Sequence, residues 1–178
     1  VYPLNELPKI NSRLLKRGKL VVLSEYELEE GHPLCNDSSY VFTTDKEKAD
    51  LIISTSVDDQ RFLYLIPPLC SVGIGCRKGV PALDVINAIT TVFQRLGYSL
   101  QSISGLYSIS PKAYEQGLQA AAETLGVAYK TFTPDQIQET IEKFDLERST
   151  WVRKNMGVDG VCEPASLLGS NKGQLIVH

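Results

Sequence analysis

Three short stretches of the 178-residue chain carry side chains whose types and spacing suit chemistry on an anionic ligand. The first is Leu69–Asp84, L-C-S-V-G-I-G-C-R-K-G-V-P-A-L-D, where an apolar segment runs into a glycine-rich turn with two cations and then a helix-opening proline. A strand, a tight loop and a helix start in that order favour an anion, because loop N–H groups and the helix dipole both present positive charge. Gly73, Gly75, Cys76 and Gly79 form the cradle. Arg77 offers a planar bidentate fork and Lys78 a movable point charge. The third glycine falls one residue late for a dinucleotide fingerprint, and no Gly-Lys-Ser/Thr follows, so the loop is neither a Rossmann nor a Walker loop. A plain strand-to-helix turn is the competing reading.

The second stretch is Ser108–Glu115, S-I-S-P-K-A-Y-E. Ser108 is placed at a strand end. Lys112 and Glu115, three residues apart, share one side of a first helical turn. Ligands of parallel sheets bind beyond the C-terminal strand ends, which is where the glycine loop also falls. A surface ion pair beside a serine cap would look the same. In the third stretch, Val161-Cys162-Glu163-Pro164, a carboxylate precedes a helix-opening proline at the positive end of the helix dipole and stays ionised there. Glu163 suits a cap or a base that orients water. Cys162 has no histidine placed to activate it as a nucleophile. His32 and His178 read as solvent-exposed bystanders.

The elements that must position these groups follow from periodicity and punctuation. A short amphipathic helix over 5–17 ends at Gly18, and strands are expected at 19–24, 40–43, 51–55 and 61–66, with an acidic, turn-rich stretch at 25–37. Pro67-Pro68 breaks the fourth strand, and the boundary of a smaller first unit is placed at 65/66. The second unit opens with strand 69–74. Its first helix has Pro81 at N1 and a stripe of Leu83, Ile86, Ile89, Phe93 and Leu96, stopped by Gly97. A strand over 99–109 precedes a helix begun by Ser110-Pro111, with an apolar face of Tyr114, Leu118, Ala121/Ala122 and Leu125 and a stop at Gly126. Strand V-A-Y-K-T-F follows, then a helix from Thr133-Pro134-Asp135-Gln136, which has capping-box spacing. One or two helical turns over Trp151–Met156, a short helix begun by Pro164 and a final strand at 174–177 complete the chain. Strands alternating with helices imply an α/β fold with largely parallel pairing.

The totals narrow the function classes. Hydrophobic content of 43%, charged content of 22% and a net charge of −3 describe a globular protein with no electrostatic footprint for nucleic acid and no polybasic membrane patch. Cys35, Cys70, Cys76 and Cys162 lack metal-ligand spacing and read as reduced, mostly buried thiols of a cytoplasmic protein. No metal site is expected. The longest apolar run, Phe62–Cys76, contains Pro67-Pro68 and is no membrane span.

Taken together, G-I-G-C-R-K-G, S-I-S-P-K-A-Y-E and G-V-C-E-P-A-S-L-L resemble, in order and spacing, the C-terminal domain of the cobalamin-biosynthesis protein CbiG and its stand-alone relative CobE. The resemblance covers about residues 66–178, and residues 1–65 look like the middle region of CbiG. It implies a three-layer α/β/α C-terminal domain after a smaller α/β unit. It also implies cobalt-precorrin-5A hydrolase activity in corrin-ring (vitamin B12) biosynthesis: water opens a δ-lactone and a two-carbon unit leaves as acetaldehyde. No cofactor is implied, since the cobalt belongs to the tetrapyrrole substrate. Contact with other corrin-pathway enzymes is a further implication. The chemistry suits the residues, with Glu163 or Glu115 as base and Lys112 or loop amides polarising the lactone carbonyl. Gly73, Gly75, Cys76, Arg77, Lys78, Gly79 and Ser108 would then bind substrate. Ser166 stands where the family usually has a small apolar residue. The alternatives are a non-catalytic tetrapyrrole-binding or handover module and, outside the family, a nucleotide-binding domain.

Overall fold

The structure, a computed structural model, describes residues 2–28, 31–149, 153–154, 157–170 and 173–177. The chain divides into two compact units, Val1–Pro68 with Gly97–Ser102, and Leu69–Leu96 with Ile103–His178. The chain thus passes from the first unit to the second after Pro68 and returns once. The returning segment is tied to the first unit by the Ser99 N–H, which donates to the Thr55 carbonyl at 2.8 Å, and by a bridge between Ser56 and Tyr98.

The first unit is built on helix α1 (Leu7–Arg17) and four parallel strands in the order β2-β1-β3-β4. These are β1 (Leu20–Ser24), β2 (Tyr40–Phe42), β3 (Leu51–Ile53) and β4 (Tyr64–Leu65). Gly18 ends α1 in the left-handed region (φ 64°), where glycine meets no Cβ penalty. Ile10 packs on Leu20, Val22, Leu51, Ile53 and Leu63 to form this unit's core. Each such fully buried aliphatic side chain contributes about 2 kcal/mol of apolar burial. Buried Asp50 draws Arg13 and the Val21 N–H together, both at 3.0 Å, and so staples the helix to the sheet.

The acidic stretch contains one element that patterning missed, the short helix α2 (Pro33–Asn36). His32 caps it, its Nδ1 accepting the Leu34 N–H at 3.2 Å. It is therefore half-buried and employed, not an exposed bystander. His178 lies outside the described residues.

The second unit has a parallel sheet in the order β5-β6-β7, formed by Cys70–Gly73, Ile103–Ile109 and Ala128–Phe132. Residues 100–102 are a 3-10 turn, so β6 starts later than alternation suggested. Helices α3 (Ala82–Leu96) and α4 (Gln116–Leu125) pack on each other, and α4 contacts β6 and β7. Helices α5 (Pro134–Phe144) and α6 (Cys162–Gly169) form a second layer. Ile137, Ile141, Val161 and Ala165 of that layer bury against Tyr107 and Ile109 of β6. Tyr107 and Ile109 share a face by the two-residue strand period, and the Tyr107 ring stacks on Phe132 at 6.0 Å.

Several expectations need correction. In α3 the core stripe is Val85, Ile89 and Phe93, whereas Leu83 is exposed. The carbonyl of Pro81 accepts the amides of Asp84 and Val85, so this proline precedes the helix instead of filling N1. Ser110-Pro111 opens only a 3-10 turn. The true helix begins at Gln116, which leaves Tyr114 exposed. Residues 173–177 form no strand, and of Trp151–Met156 only 153 and 154, both helical, are described. None of the four free cysteines is fully buried. The Thr133–Gln136 capping box, by contrast, is present with both its hydrogen bonds.

Candidate functional site

The three chemically suggestive stretches converge within the second unit, at the C-terminal ends of β5 and β6. The glycine loop leaves β5 with the Ile74 N–H donating to the Tyr107 carbonyl at 2.8 Å. Ser108, fully buried, donates its hydroxyl to the Ile74 carbonyl at 2.6 Å. That hydroxyl therefore shapes the loop from beneath and is not presented to a ligand.

One end of the loop is fastened to α6. A Cβ at Gly73 would lie 1.7 Å from the Cys162 carbonyl oxygen, so only glycine lets the strand and the helix start approach. The Gly75 N–H then donates to Cys162 Sγ at 3.1 Å. This contact brings the first turn of α6, with Glu163 in it, beside the loop. Glu163 is inside the helix, since Val161 holds the N-cap position. Its backbone carbonyl accepts the Ser166 hydroxyl at 2.8 Å, which gives Ser166 a local partner in place of an apolar contact.

The other end of the loop is fastened to the start of α4. The Gly79 N–H, on a left-handed residue (φ 78°), donates to Glu115 Oε1 at 2.7 Å. Glu115 Oε2 faces Lys112 Nζ at 3.5 Å, and both side chains are more than nine-tenths buried. Val80, the next loop residue, sits directly against α4: a Cβ at Gly117 would lie 1.8 Å from the Val80 carbonyl oxygen. Tyr129 from β7 donates its hydroxyl to the Lys112 carbonyl at 2.8 Å and closes the turn that carries the ion pair.

Arg77 and Lys78 lie on the arc between these two fastenings. Both are exposed, and neither makes a hydrogen bond or ion pair among the described residues. A stiff loop that presents two uncommitted cations is suited to carboxylate or phosphate. The electrostatics of the surrounding groups agree with a partly desolvated site. Burial pushes the Tyr129 phenol up to about 12. Burial also raises the thiols of Cys76 and Cys162, the former against a smaller lowering influence from Lys112. Although Cys162 exposes part of its surface, its Sγ is crowded by protein. Both cysteines are therefore neutral thiols near pH 7, in keeping with the absence of a nucleophilic reading.

The structure thus brings Gly73, Gly75, Cys76, Arg77, Lys78, Gly79, Ser108, Lys112, Glu115 and Glu163 into one region, but in unequal roles. Gly73 is a packing glycine, Ser108 and Glu115 bind the loop, and Arg77 and Lys78 face outward. Tyr129 is the residue that motif reading missed. It belongs to no motif, and only the pairing of β7 with β6 brings it there. No group of three or more His, Cys, Asp or Glu side chains among the described residues is arranged to hold a metal ion, and no described helix is long and apolar enough to cross a membrane.

An α/β unit with a parallel sheet and a pinned cationic loop at its carboxyl edge is the class of structure found here. Residues 70–178 match the family described as Cobalamin synthesis G C-terminus, and the chain belongs to that family. Over 163 residues it is 28% identical to a Methanocaldococcus jannaschii protein named "Probable cobalt-precorrin-5A hydrolase", which covers 92% of this chain and 47% of that protein. Over 176 residues it is 26% identical to the cobalt-precorrin-5A hydrolase of Salmonella typhimurium, covering 94% of this chain and 49% of the relative. The chain therefore spans about half the length of these curated relatives. Among solved structures it is similar to CobE, a protein from the cobalamin (vitamin B12) biosynthetic pathway. That match has a TM-score of 0.52 and 30% identity, and covers 57% of this chain and 71% of CobE.

Proposed function

We propose that this chain acts in cobalamin biosynthesis as part of a cytoplasmic cobalt-precorrin-5A hydrolase, with the Gly73–Gly79 loop receiving carboxylates of the cobalt-precorrin. The observation that carries this reading is the pair of exposed cations Arg77 and Lys78, unpartnered among the described residues, on a loop fastened at both ends. A corrinoid precursor bears many carboxylates on a flat, apolar macrocycle. Two fixed cations at the rim bind such groups by charge-assisted hydrogen bonds. The cobalt arrives with the substrate.

Lactone opening requires a water deprotonated as it attacks and a carbonyl oxygen stabilised as it gains charge. Glu163 is the better base of the two carboxylates by exposure: it is partly accessible beside the loop, whereas the Glu115 side chain is more than nine-tenths buried. The developing oxyanion is served by Lys112 or by loop amides; Lys112 is more than nine-tenths buried and faces Glu115, so it acts from beneath the loop. Incubation with cobalt-precorrin-5A, with acetaldehyde followed by reduction in a coupled assay, tests the assignment. The wild-type protein is expected to release acetaldehyde, and Glu163→Gln to slow release about a hundredfold with affinity kept in a spectrophotometric titration. Unchanged release in that variant would remove Glu163 as the base.

A second reading within the same pathway, to which the similar CobE belongs, is a module that binds the tetrapyrrole and hands it on without turnover. Tight binding with no acetaldehyde from the wild-type protein selects it.

A further inference from the structure

Glu115 occupies the N-cap position of α4, where shorter side chains such as Asp, Asn, Ser and Thr turn back to accept amide N–H groups of their own helix. Its carboxylate makes no such bond. It reaches 36 residues back along the sequence to the Gly79 N–H and, with its second oxygen, to Lys112. The partners of this carboxylate are thus set by the tertiary fold and not by its own helix.

The surroundings show what that contact secures. Gly79 is left-handed, a conformation that an unrestrained loop exchanges readily with others. Immediately after it, Val80 is wedged against Gly117, whose missing side chain is the only reason the two backbones fit. On the upstream side, Gly75 is held by Cys162. Between these two fastenings only Cys76, Arg77 and Lys78 are left to move. Their cations are therefore presented in one direction so long as the Gly79 end stays fixed.

We infer that Glu115 is a positioning residue, which clamps Gly79 to present Arg77 and Lys78 to the substrate's carboxylates, and is not the base that activates water. This inference rests on the corrinoid reading for the identity of the ligand, though the clamp itself does not. It also assigns the Lys112–Glu115 pair a second consequence: the carboxylate that holds the loop simultaneously holds Lys112 under it, so loop and floor move as one body.

Two measurements test it on the full chain. Amide hydrogen exchange at Gly79 reads the clamp directly. Glu115→Ala is expected to accelerate exchange about tenfold, the consequence of losing one charge-assisted hydrogen bond. A neutral isostere should restore protection, because a glutamine oxygen still accepts the Gly79 N–H. Lys112→Met is combined with Glu115→Gln so that no ammonium is left facing the amide, and this double variant should exchange within about twofold of wild type. Exchange as fast in the double variant as in Glu115→Ala, or as slow in Glu115→Ala as in wild type, would overturn the inference.

The second measurement is a fluorescence titration with a metal-free porphyrin carrying eight carboxylates. Glu115→Ala should weaken binding about tenfold, and the loss should match that of Arg77→Ala. Unweakened porphyrin binding in Glu115→Ala would also sink the positioning role. If wild type bound no porphyrin while the Gly79 exchange pattern held, the corrinoid reading would fall and the clamp would stand.

Discussion

The two parallel sheets of this protein offer the same kind of edge and use it differently. In the first unit, strand order reverses between β1 and β3, the place where ligands commonly bind beyond an open parallel sheet. There the Ser54 hydroxyl donates to Glu25 Oε2 at 2.5 Å and accepts the Ser56 N–H, while the Tyr26 hydroxyl donates to Thr55 Oγ1 at 2.7 Å. Each polar group has a partner from the same edge. A shallow concavity of about 630 Å³ nearby is lined by Ser24, Tyr26, Leu28, Cys35, Phe42, Thr43 and Thr44, with no cation among them. At the carboxyl edge of the second sheet, backbone polar groups are satisfied at the two ends of the loop, and two cations are left over. Position at a strand's carboxyl end is therefore not enough to make a site. The uncompensated charge, held on a stiff support, is what distinguishes the second edge from the first.

The sharpest way to break that contrast is to remove the support. Gly73→Ala sets a methyl group 1.7 Å from a backbone oxygen that belongs to the start of α6. Relief requires β5 and α6 to part, so a loss of about 3 kcal/mol or more is expected, measurable as a lowered Tm. A variant within about 0.5 kcal/mol of wild type would mean that the helix start yields easily and that the loop is not stiff.

Removing the charges while keeping the support should have the next largest effect. The double variant Arg77→Ala/Lys78→Ala should weaken binding of a polycarboxylate tetrapyrrole about a hundredfold and flatten its salt dependence, with stability unchanged. Glu25→Gln at the edge of the first sheet should leave that affinity where it was. Equal losses from the two would erase the difference between the edges.

A smaller effect comes from the first unit's own charge network. A hydrogen bond from Lys46, supported by one from the buried Tyr64 hydroxyl, holds the Asp58 carboxyl down at about 2. A carboxylate depressed below its unfolded value of 3.8 stabilises the fold above that pH, and the contribution disappears as pH falls through about 2. Acid denaturation should therefore lose part of its slope between about pH 4 and 2 in Asp58→Asn, by a few tenths of a kcal/mol, because the pair is largely solvated. An acid limb identical to wild type would show the pair to be idle.

Much of this was legible in the residues themselves, and the reason differs from element to element. Local chemistry set the ends of α1, α4 and α5, because Gly18, Gly126 and the Thr133–Gln136 box act on their immediate neighbours. The α/β alternation and the membership of Arg77, Lys78, Lys112 and Glu163 in one region were readable for a similar reason: parallel strands place their following loops on a common edge. Short elements were harder. Helix α2 has four residues, too few for a period, and the strand expected at 174–177 has the right composition but no pairing neighbour among the described residues.

What the sequence determined by itself, then, is most of the longer elements, their order, and the presence of two cations between glycines. Tertiary structure decided what each polar group is for. Glu115 read as an ion-pair partner or a base, and becomes a clamp because Gly79 is folded against it. Ser108 looked available and turns out to hold the Ile74 carbonyl, while Tyr129 entered from another strand altogether. Hydrogen-bond partners 17 to 36 residues apart are set by the packing of layers, and no local pattern encodes them.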